Sequence, residues 1–257
     1  MPLPEKAGNE NSVIKAGNER TDSVIKAVMF DIDDTLYDMI GPFGRAYEDL
    51  FPNDREMDVQ KLMAAYRCCA DAIFMKAETG EMTMEEMYIL RARTAFQELG
   101  SDLSDEEALA FQDAYGRYQK ELALSECMKE ILAFCAERVK VGIISNGPAG
   151  HQWKKVHTLG LLKWIPKEHI IISGDYGIPK PERRIFEIAA AGIKEEPPEI
   201  CYAGDSFVND VIGASNAGFR TIWLNRRKKV CPDPSVPDDI AGSEEELWEL
   251  LKRQIVK

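Results

Sequence analysis

Histidine is scarce and long apolar runs are missing. The 257 residues include three histidines and six cysteines, and no cysteine forms a C-x-x-C pair or has a histidine at metal-ligand spacing. That pattern argues against a zinc site or a disulfide scaffold as the organising feature. No stretch approaches the ~20 apolar residues of a membrane span, and nothing near the N-terminus joins a basic segment to an apolar run. Positive charge is short too: 32 Lys and Arg against 44 Asp and Glu leave a net charge of −12. Nucleic acid and anionic membrane are therefore excluded as principal partners. The expectation is a reduced, soluble, cytoplasmic protein, monomer or homodimer, that attracts any anionic ligand locally. A chain of this length buries roughly 70–75% of its unfolded surface, as one large domain or as a core with a smaller companion.

What is present centres on residues 24–36, VIKAVMFDIDDTL. Val24, Ile25, Ala27, Val28, Met29 and Phe30 read as a strand covered on both faces, interrupted only by Lys26. Asp31, Asp33 and Asp34 follow at once, so at least two carboxylates crowd the carboxyl end of a buried strand, where open α/β sheets bind ligands. Like charges held together out of water need a proton or a cation, and a hard divalent ion suits oxygen ligands. Taken alone, the stretch also fits an acidic turn with Asp34 or Thr35 as N-cap of the next helix.

The preceding residues are polar and carry a near-duplication, AGNENSVIK at 7–15 and AGNERTDSVIK at 16–26. Only the second copy runs on into the acidic strand end, so residues 1–22 are expected to form a loosely ordered tail. Residues 38–124 show helical spacing throughout, as in Val59, Leu62, Met63 and Tyr66, then Met84, Met87 and Tyr88, then Ala108, Phe111 and Tyr115. Turn signals at Thr79-Gly80 and Gly100-Ser101 separate these runs, and Ser104 with Glu107 makes a capping box. A helical cap inserted after the first strand is the expected outcome. In residues 125–257 strand and helix alternate, with strands over 139–144, 170–173, 200–203 and 221–224. Together with residues 23–37 they are expected to form a Rossmann-like, doubly wound parallel α/β core.

Four polar clusters fall at predicted strand ends: Asp31, Asp33 and Thr35; Ser145 and Asn146; Lys180; and Asp205 with Asp210. The ends of parallel strands share one edge, so these clusters can converge. Together they suit phosphoryl transfer. Asp31 can attack phosphorus in line to give an aspartyl-phosphate that water hydrolyses. Asp33 can protonate the leaving oxygen and then take a proton from the attacking water, while Mg²⁺ held by Asp31 and Asp205 screens one anion from the other. Ser145, Asn146 and Thr35 are candidate phosphate contacts and Lys180 supplies positive charge. Each cluster by itself also reads as an ordinary turn, a solvated lysine or a helix-start carboxylate.

DIDDT, SNG, the lysine of GIPKPE and GDSFVND, in this order, resemble the motifs of the haloacid dehalogenase superfamily, over essentially all of the chain from Val24 onward. The resemblance is to the branch with a helical cap after the first motif, which includes many phosphatases. It implies that Asp31 is the nucleophile, and that Asp33 is the acid/base and a Mg²⁺ ligand through its backbone carbonyl. Ser145 and Lys180 would bind phosphate, Asp205 would bind Mg²⁺, and Asp210 would support the metal directly or through water, with Asn209 beside it. The implied activity is hydrolysis of a small phosphorylated metabolite: a nucleotide, a sugar phosphate or a phosphoglycolate-like acid. A phosphomutase, a 2-haloacid dehalogenase or a non-catalytic phospho-ligand module are the alternatives. An acid at position 33 favours the phosphatase, because a halide leaving group needs no proton.

Other residues read more plainly. His151, His157 and His169 are expected in structural or surface roles, Trp153 and Trp223 in the core, and Arg226 to Lys229 in a solvated loop. In the cap, Arg45 is a candidate for a second anionic group on the substrate, and Phe43 and Tyr47 are expected to pack in the core.

Overall fold

The computed structural model describes residues 24–53 and 57–255. The expected tail, residues 1–22, lies outside the described residues, as do residues 256–257. Strand β1 (Ala27–Phe30) is buried along its whole length. Alternate side chains leave opposite faces of a strand. Val28 and Phe30 accordingly join one apolar layer, and Ala27 and Met29 the other. The strand pairs in parallel with β2 (Lys140–Ser145) on one side and β4 (Ile200–Gly204) on the other. With β3 (Ile170–Ile172), β5 (Arg220–Leu224) and β6 (Asp239–Ala241), the described residues form a parallel sheet of order β3-β2-β1-β4-β5-β6. Strand order reverses between β1 and β4, and the crevice of a doubly wound sheet opens at such a switch point.

Helices α5 (Glu126–Ala136) and α10 (Glu244–Ile255) close one face of the sheet. On the other lie α8 (Arg183–Ile193) and α9 (Gly213–Ala217). The short helix α7 (Ser173–Tyr176) follows β3 directly. Ser125 caps α5 through the amide of Met128, as its position before the apolar run suggests. No helix among the described residues is long and apolar enough to cross a membrane.

Between β1 and α5 run α1 (Ile40–Leu50), α2 (Val59–Glu78), α3 (Met84–Glu98) and α4 (Asp105–Tyr118). Capping boxes at Thr83 and Ser104 start α3 and α4, each satisfying two otherwise free amides. α2 packs on α3 and α1 on α4. Phe43, Tyr66, Phe111 and Tyr115 meet edge to face at centroid distances of 5.1–6.3 Å, the geometry that the aromatic quadrupole favours. Phe43 and Tyr47 are therefore core residues. Arg45 lies on the outside, over the Tyr118 ring and paired with Glu121, which removes it from the crevice.

Strand β6 and the turn after β4 differ from the sequence reading. Strand β6 has only three residues and one buried position, too short a signal to stand out. After β4 the chain enters a π-helical turn (Phe207–Ile212) before α9, where a plain helix is expected. Such turns are often found at functional sites. Asp210 turns back there so that its Oδ2 accepts from the Ser206 amide at 2.8 Å. Its carboxyl lies so close to Gly204 that a β-carbon at that glycine would stand 2.4 Å away.

Candidate active site

The amide of Asp31 donates to Ala203 O at 3.0 Å. This carries the β1–β4 ladder one residue past the strand and fixes the Asp31 carboxylate at the switch point. Asp205 and Asp210 arrive from the end of β4. One oxygen each of Asp31, Asp205 and Asp210 lies within 4.8 Å of the others, and all three residues are buried. Three hard, anionic donors drawn together out of water fit Mg²⁺. The Asp205 carbonyl accepts from Trp223 Nε1 at 2.9 Å, which ties the loop to β5; Trp223 is fully in the core as expected, whereas Trp153 is partly exposed and bonded to Asp175.

Lys180, from the loop between β3 and α8, reaches into this group. Its Nζ donates to Asp31 Oδ1 at 2.7 Å and to Asp210 Oδ1 at 2.6 Å, and lies 3.0 Å from Tyr202 Oη. Burial alone would lower the pKa of this ammonium, but Asp210 and Asp31 outweigh it and raise the pKa well above the ordinary lysine value. Asp31 shifts the opposite way for an acid. Burial is the main cause; Lys180 opposes it, Asp210, Asp205 and Asp33 add to it, and the carboxyl is pushed up to about 7. A cation in the triad would reverse that shift.

Asp33 has a different surround. Lys155 on α6 (Ala149–Thr158) contacts both of its oxygens at 2.6 Å, Gln152 Nε2 donates to Oδ2 at 2.9 Å, and the Tyr37 hydroxyl donates to Oδ1. Burial would raise this acid, yet the Lys155 charge and these hydrogen bonds hold it well below the ordinary carboxylate range. Asp34 leaves the crevice: with φ +63° it turns onto Arg227, whose Nη2 meets its Oδ1 at 2.6 Å. Arg67 on α2 spans both groups, with Nη1 3.3 Å from Asp34 and a two-point contact to Asp205 at 2.9 and 3.2 Å.

The candidate phosphate contacts divide. Ser145 Oγ is buried with no hydrogen-bond partner among the described residues. Lys180 stands beside the acids as described. The Asn146 side chain is used otherwise: its Oδ1 accepts from the Lys180 amide at 2.7 Å and its Nδ2 donates to the Lys180 carbonyl at 3.0 Å, bracing the lysine loop. Thr35 is fully buried with its hydroxyl 3.4 Å from Asp31 Oδ2. The Gly147 amide donates to Ser173 Oγ at 3.0 Å. Asn209 lines the crevice beside Asp210.

Several residues of this site carry no signal in a linear motif. Gln152 and Lys155 are three residues apart on the face of α6 that looks onto the crevice, and that spacing after the Ser-Asn-Gly turn was the available clue. Arg226 and Arg227 correct the solvated-loop reading. Arg226 Nη2 donates to Thr35 O at 2.7 Å and pairs with Glu244 at 2.9 Å, while Arg227 holds Asp34 and Asp38. Only Lys228 and Lys229 of that run are exposed.

Above the acids, α2, α3 and α4 enclose a cavity of about 370 Å³ with the strand ends and α6. His151 lines it; His169 is bonded to Val141 O and His157 is exposed. Burial, with Lys155 next in weight, pushes the His151 imidazole from an ordinary 6.5 down to about 4. Between these values the unfolded chain binds the extra proton. The contribution of neutral His151 to stability is therefore complete above about pH 6.5 and lost as pH falls toward 4. His151→Gln is expected to flatten the stability profile in that window, read by thermal unfolding at constant ionic strength. A profile that keeps its acid limb would show that other groups carry it.

A family model described as haloacid dehalogenase-like hydrolase matches residues 25–218. The HAD-hydrolase YfnB of Bacillus subtilis strain 168 is 25% identical over 88% of this chain and 95% of its own. Its magnesium-bound crystal structure superposes with a TM-score of 0.67 over 89% of this chain and 99% of that one. A glyceraldehyde 3-phosphate phosphatase of Methanopyrus kandleri is 26% identical over 86% of this chain and 93% of its own. A phosphoserine phosphatase of Thermus thermophilus is 27% identical, over 87% and 98% respectively.

Proposed function

This chain belongs to the haloacid dehalogenase-like hydrolase family, and from that premise we propose that it is a Mg²⁺-dependent phosphatase that hydrolyses a small phosphomonoester through an aspartyl-phosphate on Asp31. The observation that carries the reading is the pairing of two differently held acids at the end of β1. Asp31 sits with Asp205, Asp210 and Lys180, and Asp33 sits apart on Lys155, Gln152 and Tyr37. Relatives named as glyceraldehyde 3-phosphate and phosphoserine phosphatases support the reaction class. Helices α1–α4 act as the cap that covers the crevice, residues 38–124, on a core of residues 23–37 and 125–257.

In this reading the substrate phosphate lies between Asp31, the Ser145 hydroxyl and the Lys180 ammonium. An Asp31 oxygen forms the new bond to phosphorus as the ester oxygen departs in line. Asp33 gives that oxygen its proton and later takes one from the attacking water. Its hydrogen-bonded carboxylate form suits the second step. For the first, the approach of a phosphate dianion raises its proton affinity. Asp31, Asp205 and Asp210, with the Asp33 carbonyl, would hold Mg²⁺, which supplies charge to screen the approach of carboxylate to phosphate. Asn146 positions the lysine loop, and closure of the cap excludes bulk water.

The test is phosphate release from a panel of phosphomonoesters with and without Mg²⁺. Mg²⁺-dependent release is expected, and Asp33→Asn is expected to lower it on the order of 10² to 10⁴-fold. Halide release from 2-haloacids that is indifferent to chelator, with no phosphate release, would replace the reading with the dehalogenase.

A further inference from the structure

The cap cavity is lined by an arginine that has no carboxylate partner among the described residues. Arg91, on α3, has its guanidinium over the rings of Tyr66 and Tyr88, at 4.5 and 4.8 Å from their centroids. Its Nη2 donates to Gln112 Oε1 at 2.5 Å, and the same oxygen accepts from Tyr66 Oη at 2.8 Å. Among the described residues, the groups that orient the guanidinium are neutral. Arg45, Arg67, Arg93 and Arg117, also on α1–α4, each have a carboxylate within 4.0 Å. Among the described residues Arg91 has none. A second donor nearby is also unspent: Tyr115 Oη is buried without a hydrogen-bond partner among the described residues, and both residues line the cavity. The facing imidazole of His151 is neutral at physiological pH and brings no negative charge.

A fixed, permanently charged, planar fork whose partners among the described residues are all neutral is a receptor for a carboxylate or phosphate, which accepts two parallel hydrogen bonds from it. Arg91 Nε is buried with no hydrogen-bond partner among the described residues, which is costly, and a neutral hydroxyl would satisfy it less well. Arg91 belongs to none of the four polar clusters at the strand ends, so this group would be met at the far end of the substrate. Resting on the phosphatase reading, we infer that the substrate is a phosphomonoester with a second anionic group, which Arg91 and Tyr115 bind. Gln112 is what keeps the subsite open, because a carboxylate at its position would pair with Arg91 internally.

Binding separates this inference from the reaction. With Mg²⁺ present, the Asp31→Asn protein would be titrated calorimetrically with two matched pairs. The first is 3-phosphoglycerate against glycerol 3-phosphate, for a distal carboxylate. The second is ribulose 1,5-bisphosphate against ribulose 5-phosphate, for a distal phosphate. At least tenfold tighter binding of the doubly anionic member is expected in one pair or both, and the arm that discriminates identifies the anion. Adding Arg91→Gln or Gln112→Glu is expected to bring that pair within threefold while leaving the neutral-ended ligand within threefold of its affinity. Should Arg91→Gln fail to fold, Gln112→Glu, which adds an ion pair, decides the matter. Equal or undetectable binding within both pairs, or a preference that survives Gln112→Glu, overturns the subsite. If discrimination holds but the wild type releases phosphate from no ester, the phosphatase reading falls and the subsite stands. Mg²⁺-dependent release without discrimination has the opposite meaning.

Discussion

Asp31→Asn is expected to lower phosphate release by roughly 10⁴-fold or more, the scale on which removal of a covalent nucleophile acts, while the protein stays folded. The amide is nearly isosteric with the carboxylate and its oxygen can still accept from Lys180, so the 2.7 Å contact has a successor. What disappears is a negative charge that burial and three neighbouring acids already make unfavourable, as the rise of Asp31 to about 7 records. Unfolding temperature in chelator should therefore be equal to or above that of the wild type. The two readouts answer different questions. Turnover near the wild-type level would remove Asp31 as nucleophile, whereas lost turnover with collapsed stability would leave the role unproven by this variant. Prepared in parallel, the variant also controls for contaminating phosphatases.

The acids and the lysine were legible because each follows a recognisable strand. Once β1, β2 and β4 are known to be parallel, their carboxyl ends must share an edge, so Asp31, Ser145 and Asp205 can be brought together without knowledge of any side-chain conformation. Lys180 was legible from its place after the strand that ends near Ile172. The cap helices were legible from their 3.6-residue spacing and from the Ser104 capping box.

The partners of those residues were harder to read, for a physical reason. Lys155 follows Lys154 on a helix, and a pair of lysines there reads as a solvated face; only the three-dimensional course of α6 buries one and exposes the other. Arg67 and Arg91 lie on amphipathic helices, whose sequence pattern fixes which faces are apolar but not what stands opposite. Arg226 and Arg227 are charges in a loop, and whether a loop charge is buried depends on a partner nearly 200 residues away, here Asp34 or Thr35. Asn146 shows a role that residue type does not reveal: its side chain bonds both backbone groups of Lys180 while it also lines the crevice.

Lys180→Met is expected to have the largest effect on stability. Its ammonium is the buried cation that bonds Asp31 and Asp210 at once, and a methionine fills similar space without charge. Removing one partner of a buried ionic group costs about 3–5 kcal/mol, because the remaining charges are left without compensation. The loss should be greatest in chelator at alkaline pH, above the raised pKa of Asp31. It should shrink as pH falls, because protonation of Asp31, already displaced upward, relieves the same repulsion. Mg²⁺ should narrow the gap to the wild type, since a cation bound by Asp31, Asp205 and Asp210 replaces part of the missing charge and stabilises the folded form by linkage. Denaturant unfolding of both proteins at two pH values, each with chelator and with Mg²⁺, tests the whole pattern. A loss below about 1 kcal/mol in alkaline chelator would mean that Lys180 does not hold the acid cluster together, and a loss that Mg²⁺ leaves unchanged would mean that those three acids are not where the metal binds.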